Sequence, residues 1–237
     1  MVRRSGFVLI FAMLSMLLGT TTISAQTPEP SHLPEFAELE GIQSAVVRTW
    51  GIDYPAILAA TPDYQPDILG EPLTILGGYV LAFDSGDNAR SAYDAFAANI
   101  AAELGTMSAS ESDTITEEPI DDLGDAATVA TLVTDTDEYS AAVRYVLALE
   151  GSTFFLTMAI ANSNDNAQPA NELAAWLVNE GEPGDDQILF DPTGLSSGGP
   201  WDYFPASDNP LLTGLVPISD EVLYAESVGD RSAPDRA

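Results

Sequence analysis

The amino-acid sequence predicts an α+β fold in two layers, a mostly antiparallel sheet of about four to five strands with two main helices packed on one face. Two patterns carry this prediction. A strand, a capped turn and a long amphipathic helix follow one another between Leu73 and Leu104, and three consecutive strands form a meander between Ala127 and Ala161. The expected element order is β-α-β-α-β-β-β-α, followed by an irregular C-terminal arm.

The central strand and its helix are predicted from two different periodicities. Tyr79–Phe83 alternates large and small apolar side chains, which indicates a strand covered on both faces. The polar turn that follows offers Asp84 or Ser85 as the N-cap of a helix. Apolar residues then recur every three or four positions, and Gly105 is expected to end the helix as its C-cap. The members of this stripe are Ala89, Tyr93, Phe96, Ile100 and Leu104.

The remaining elements are predicted from shorter alternating patterns and from Pro169, which suits the first turn of a helix. The expected strands are Ala45–Trp50, an edge strand near Asp113–Glu117, Ala127–Thr134, Ala141–Leu149 and Thr153–Ala161, and the expected helices are Tyr54–Ala60 and Ala170–Glu180. The long helix should cover the meander. The predicted contact set joins Tyr93, Phe96 and Ile100 to Tyr145, Leu147, Phe154 and Leu156.

The N-terminal segment has the pattern of a secretory signal peptide. Arg3 and Arg4 precede the apolar run Phe7–Leu18, and small residues lead to an expected cleavage after Ala25. An uncleaved N-terminal anchor helix is the alternative. The expected organisation is a signal peptide at 1–25, a Pro-rich linker at 26–35, an α+β domain at 36–181 and an irregular acidic, Pro/Gly-rich C-terminal arm at 182–237.

Composition restricts the partners of the chain. Asp and Glu number 37 against 7 arginines, and no lysine is present, so the formal net charge is -30. This charge repels nucleic acid, and no stretch after the signal peptide is apolar enough to insert into a membrane. With no cysteine, the sequence excludes disulfides, thiolate metal sites and a cysteine nucleophile. An unknown protein or small ligand remains as the partner.

No catalytic motif has its required context. The segment 194–198, GLSSG, matches the nucleophile elbow of hydrolases, but that elbow needs a strand before it and a histidine after it. The single histidine, His32, lies upstream in the predicted linker. Carboxylate pairs of the kind that glycosidases use cannot be selected among so many acidic residues. The sequence therefore favours a protein that is not an enzyme and that uses no cofactor.

Calcium is the ion best suited to this composition, because it takes oxygen ligands alone. Three polar loops offer such ligands, although none has the spacing of a twelve-residue EF-hand loop and each also suits a helix cap or a turn. The calcium candidates are Asp84, Asp87, Asp135, Asp137, Glu138, Asn162, Asn164 and Asp165.

The function favoured by these observations is an exported, non-catalytic binding or protein-interaction domain. The alternatives are a carbohydrate-active hydrolase that uses acidic residues and a calcium-responsive structural protein. Arg144 is a lone cation on a predicted strand, and we expect it to meet a carboxylate across the sheet. Trp201, Tyr203 and Phe204 could form an aromatic platform for carbohydrate. The element order is similar to that of small exported α+β domains of bacteria, a likeness that implies no function.

Overall fold

A computed structural model describes residues 32–52, 72–108, 112–136, 140–180 and 204–225. The predicted signal peptide, the segment Tyr54–Ala60 and the residues 194–198 all lie outside these ranges. The strands are β1 (Ile42–Ile52), β2 (Leu73–Phe83), β3 (Thr114–Pro119), β4 (Ala126–Asp135), β5 (Ser140–Glu150), β6 (Thr153–Ala161) and β7 (Leu215–Ala225). The helices are α1 (Gly86–Ala97), α2 (Ile100–Met107) and α3 (Pro169–Asn179), with 3-10 helices at Phe36–Glu38, Asp165–Ala167 and Pro210–Leu212.

The seven strands of the described ranges form one antiparallel sheet in the order β3-β4-β5-β6-β2-β1-β7. The meander β3 to β6 follows the chain order, as short connections between neighbouring strands require. Strand β2 then joins β6, and β1 and β7 follow outside it. The prediction of about four to five strands is therefore wrong, because the edge strand β3 belongs to the sheet and β7 of the C-terminal segment pairs outside β1.

The helices lie on opposite faces of this sheet, so the prediction of two helices on one face is also wrong. Tyr145 and Leu147 pack with α1 and α2, whereas Val146 and Ala148 pack with α3. Successive residues of a strand point to opposite faces. We call the first surface the α1–α2 face and the second the α3 face. The central strands are apolar on both faces, and a separate helical layer covers each face.

The α1–α2 face holds an aromatic cluster. The ring of Phe96 stacks near Phe36 and meets Phe154 edge-on at a centroid distance of 5.1 Å, and Tyr93 meets Phe154 at 6.1 Å. The whole predicted contact set belongs to this one cluster, which confirms the prediction that this helix covers the meander. Ser85 begins α1 by accepting a hydrogen bond from the Asn88 amide at 3.3 Å, as its position predicted.

The predicted long helix is interrupted. Helix α1 ends at Ala97, and α2 begins at Ile100. The amide side chain of Asn99 donates to the carbonyl oxygen of Ala95 at 2.8 Å in this break. Gly105 lies inside α2, which continues to Met107, so its predicted role as a C-cap is wrong. The apolar stripe continues through both helices, which is why periodicity alone did not indicate the break.

The α3 face is closed partly by the C-terminal segment. Phe204 and Leu212 are buried in the same cluster as Trp50 and the apolar residues of α3. Gly78 of β2 lets Phe204 approach the sheet, since a β-carbon there would lie 2.9 Å from Cε1 of that ring. Strand β7 pairs with β1 along its length. The described part of the predicted irregular arm is therefore an ordered piece of the fold.

Candidate functional site

A polar corner lies on the α3 face where α3 begins. Arg144 of β5 stands opposite Thr131 of β4, and Thr131 stands opposite Thr116 of β3. The turn before α3 and the first turn of α3 bring Asn164 and Asn171 to the guanidinium. We call Arg144, Thr131, Asn164 and Asn171 the Arg144 corner. Because α3 covers the centre of the sheet, this corner lies between the helix and the outer strands β3 and β4.

The guanidinium of Arg144 is fixed by two side-chain amides. Its Nη1 donates to Oδ1 of Asn171 at 2.8 Å, and its Nη2 donates to Oδ1 of Asn164 at 2.6 Å. Arg144 is 6% exposed, and both bonds are partly buried. Hydrogen bonds with a charged donor are shorter and stronger than neutral ones. The pair of bonds ties the start of α3 to the sheet and sets the orientation of the guanidinium plane.

One donor of this guanidinium is left over. Within the described residues, the buried Nε of Arg144 has no hydrogen-bond partner. A buried donor without an acceptor costs about 1–3 kcal/mol, so such groups in native proteins usually meet an ordered water, an ion or a ligand. Arginine carries five N–H donors, and the two asparagines use two of them. The Nε edge is therefore the unused side of the corner.

Burial and two carboxylates act in opposite directions on Arg144. Burial lowers the pKa of the guanidinium, chiefly because it removes hydration, and the charges of Asp165 and Glu118 partly offset this effect. Arginine stays protonated in proteins even so. The sequence prediction of a carboxylate partner across the sheet is corrected here, because the direct partners are neutral amides. The amide of Asn164, in the turn at 162–166, is a direct partner of Arg144. Because an amide is neutral, it does not neutralise the positive charge of the guanidinium.

The structure disperses the calcium candidates. Asp84 Oδ1 accepts a hydrogen bond from Asn88 Nδ2 at 2.8 Å, Asp87 lies in the first turn of α1, and Asp135 ends β4. Asp137 and Glu138 lie outside the described residues. Across the part of the chain that is described, no group of three or more His, Cys, Asp or Glu side chains could hold a metal ion. Calcium binding stays a prediction.

The third calcium loop is the one that forms the Arg144 corner. Asn162 accepts a hydrogen bond from Nδ2 of Asn166 at 2.7 Å, while Asn164 serves Arg144. A guanidinium bonded to Asn164 repels a divalent cation at the same oxygen. If calcium raises the melting temperature more than sodium at equal ionic strength, the ion must therefore bind elsewhere.

A second buried charge lies on the α1–α2 face and was missed from the sequence. Glu103 of α2 is fully buried, and its Oε2 accepts a hydrogen bond from the backbone amide of His32 at 2.7 Å. Burial raises the pKa of the neighbouring Tyr145 phenol, and the charge of Glu103 adds to this rise. Leu33 is buried in the same cluster. The sequence does contain a signal for this burial. Glu103 lies three residues after Ile100 and directly before Leu104, on the apolar side of the helix.

The aromatic platform is not formed by Phe204. Its ring is 5% exposed and meets Trp50 edge-on at a centroid distance of 5.8 Å, and the guanidinium carbon of Arg48 lies 5.6 Å from the centroid of the same ring. Trp201 and Tyr203 lie outside the described residues. A sugar needs an open ring face, so Phe204 serves the core of the α3 face instead.

Comparison with known proteins assigns no family. No protein-family model matches the chain, and no curated protein matches it. The extracellular domain of PknH from Mycobacterium tuberculosis is similar over 62% of this chain and 90% of that domain, with 11% sequence identity and a TM-score of 0.28. A likeness at this level carries no argument about function. Among the helices of the described ranges, none has the length and apolar character needed to cross a membrane.

Proposed function

We propose that the chain is an exported, non-catalytic binding domain and that the Arg144 corner is its ligand site. The observation that carries this proposal is the buried Nε of Arg144, which has no acceptor among the residues that the structure describes. The fold places a cation at this point whose direct hydrogen-bond partners are amides, while the carboxylates of Asp165 and Glu118 act on it only electrostatically. Such an arrangement suits an anionic group that arrives with a ligand.

The geometry favours a carboxylate as that group. Because Asn164 and Asn171 hold the two terminal nitrogens, the guanidinium cannot turn, and its Nε edge is presented in a fixed direction. Arginine and carboxylate match as two parallel hydrogen bonds in one plane. Exposed Asp165 and Glu118, which act electrostatically on Arg144, would favour a positive charge elsewhere on the same ligand. A small zwitterion or a peptide terminus has both charges.

Export is supported by the sequence of the N-terminal segment, with its arginine pair and apolar run. The absence of enzymatic activity remains part of the proposal. Incubating the mature protein with a panel of chromogenic glycosides tests it, since release of the chromophore would favour the hydrolase alternative.

The site is tested by the effect of sodium acetate on thermal unfolding, with sodium chloride at equal ionic strength as the reference. A ligand that binds the native state alone raises the melting temperature as its concentration rises. We expect acetate to stabilise the wild-type protein, and dialanine, which carries both charges, to do so at lower concentration. Arg144→Met should abolish both effects. Equal acetate and chloride effects in the wild type would refute the site.

A structural role for Arg144 predicts a different result, and a matched variant separates the two. Asn166→Ala changes an exposed residue of the same turn, bonded to Asn162 and not to Arg144. This variant should keep the acetate effect. Arg144→Lys retains the charge but loses the planar fork, so it should keep part of the stability and lose the preference for acetate over chloride. Full acetate stabilisation of Arg144→Met would contradict the proposal.

A further inference from the structure

Strand β3 is an edge of the sheet that the described residues form. It pairs with β4 on one side and ends the strand order on the other. All six of its residues, Thr114–Pro119, are exposed. Ile115 is 36% exposed and, in the described ranges, is one of two large exposed hydrophobic side chains, with Ile218. An edge strand presents unpaired N–H and C=O groups in a row, which is a template for another strand.

The charge of this edge selects what can pair with it. Glu117 and Glu118 point to opposite faces of the sheet, so negative charge borders the edge above and below. Like charges brought opposite each other destabilise strand pairs, and opposite charges stabilise them. A second copy of this chain would bring the same glutamates to the edge. The glutamates therefore oppose self-association, which is the usual role of edge charges, and favour a basic partner.

We infer that β3 accepts an extended, positively charged segment of a partner protein as an additional antiparallel strand. Backbone hydrogen bonds supply the affinity in this mode of recognition, and alternate side chains supply the specificity. Ile115 and Glu117 lie two residues apart on the α1–α2 face of β3. A partner strand thus needs a β-branched or other apolar residue opposite Ile115 and an arginine or lysine opposite Glu117. A second basic residue on the other face meets Glu118.

This interaction does not depend on the Arg144 corner. The partner pairs with the outer backbone of β3, whereas Arg144 stands two strands further in. The peptide probes can be capped at both ends, which removes the terminal carboxylate that the corner would bind. Failure of the acetate experiment therefore leaves the strand-pairing proposal intact, and the reverse also holds.

The test uses capped, fluorescently labelled hexapeptides of the sequence Thr-Arg-Arg-Thr-Val-Thr, and fluorescence anisotropy with the mature protein. In antiparallel register this sequence places its arginines opposite Glu118 and Glu117 and its valine opposite Ile115. We expect saturable binding that weakens as salt rises. A peptide of the same sequence with N-methyl groups on alternate backbone nitrogens should bind roughly tenfold or more weakly, because it cannot pair along that edge. A peptide with glutamate in place of arginine should not bind.

Charge reversal on the protein supplies the matched comparison. The double variant Glu117→Lys/Glu118→Lys should lose the arginine peptide and bind the glutamate peptide. The control Glu172→Lys/Glu180→Lys makes the same change in net charge at an exposed position of α3 and at the exposed residue that follows its end, and it should bind as the wild type does. If the N-methylated peptide binds as well as its parent, or the control loses as much affinity as the β3 variant, the attraction is only general electrostatics and the inference is overturned. Absence of any binding overturns it too.

Discussion

The two faces of the sheet are built on the same strands but are filled in different ways. On the α1–α2 face, β5 presents Tyr145 and Leu147, and the layer is completed by interlocking aromatic rings. On the α3 face, β5 presents Ala142, Val146 and Ala148, and α3 packs in a cluster that also contains the large side chains of Trp50 and Phe155. Both faces therefore depend on the volume of their side chains. The α3 face depends in addition on a close approach at Gly78, where the absence of a β-carbon leaves room for the ring of Phe204.

The faces also differ in the charge that each buries. The α1–α2 face contains Glu103, bonded to the backbone of His32, and the α3 face contains Arg144, bonded to two amides. Each charge ties a neighbouring segment to the sheet. Charged groups buried in this manner are costly and are tolerated only with hydrogen-bond partners. The four predictions below test whether the two faces differ as described.

The largest effect is expected from Phe96→Ala. Phe96 is fully buried between Phe36 and Phe154, so truncation leaves a cavity that its rigid neighbours cannot fill. We expect the free energy of unfolding in urea to fall by about 3–5 kcal/mol. Phe204→Ala on the α3 face is the comparison and should cost less, because Phe204 is 5% exposed whereas Phe96 is fully buried, so solvent can fill part of the vacated space. Equal losses would remove the contrast between the faces.

Close approach on the α3 face is tested by Gly78→Ala. The added β-carbon would lie 2.9 Å from Phe204 Cε1 and 3.3 Å from Leu173 Cδ2. Overpacking of this kind should lower the free energy of unfolding by about 1–3 kcal/mol. Gly77→Ala is the matched control on the other face, where the nearest atom, Thr49 Oγ1, is 3.7 Å away. That control should be neutral or stabilising, by at most about 1 kcal/mol.

Tyr145, on the α1–α2 face, makes the free energy of unfolding depend on pH. Its pKa is raised in the folded state, first by burial and then by Glu103. The stabilisation is therefore complete below the unfolded pKa of about 10 and is lost as the pH rises towards the folded value, at about 1.4 kcal/mol per pH unit. Tyr145→Phe should flatten the fall in the free energy of unfolding above that pH, measured by urea titrations at successive pH values. An unchanged slope would show that other groups control the alkaline limb.

The smallest effect concerns the start of the helices. Ser85 caps α1 through the Asn88 amide, whereas α3 begins at Pro169 without a side-chain cap. Ser85→Ala should cost about 1 kcal/mol in urea unfolding. Ser91→Ala, at an exposed position of α1 where the hydroxyl only donates to the Asp87 carbonyl, should be neutral or slightly stabilising. Similar losses for both variants would argue against the cap as the cause.

Local elements of the fold could be predicted because their signals are local. The alternation in β4, β5 and β6 and the stripe through Tyr93 and Phe96 gave the right elements, and their contacts followed. The face taken by α3 could not be predicted, since β5 is apolar on both sides. Strand β7 was missed for another reason. Its pairing with β1 contains two register shifts, and Pro217 interrupts it, so the alternation of period two is lost.

The site could be predicted only in part. Arg144 stood out as a lone cation on a strand, but its partners come from a turn and a helix that follow β6. That turn contains several asparagines, which the sequence offered as calcium ligands. One sequence does not decide whether a side-chain amide binds a metal ion or a guanidinium. The same amide oxygen can coordinate the ion or accept a hydrogen bond from the guanidinium. Packing of α3 on the sheet decides it here.

The pairing of β1 with β7 has a consequence for how the chain assembles. Ser44 pairs with Ala225, so the whole segment between these two residues must be made before β1 and β7 can pair. Pairing of segments so distant along the chain is slow. During synthesis, β1 keeps an unpaired edge until β7 has been made, and unfinished chains can join through such edges. With a formal net charge of -30, such chains repel one another. The acidic composition that favours solubility of the folded protein therefore also opposes association of unfinished chains.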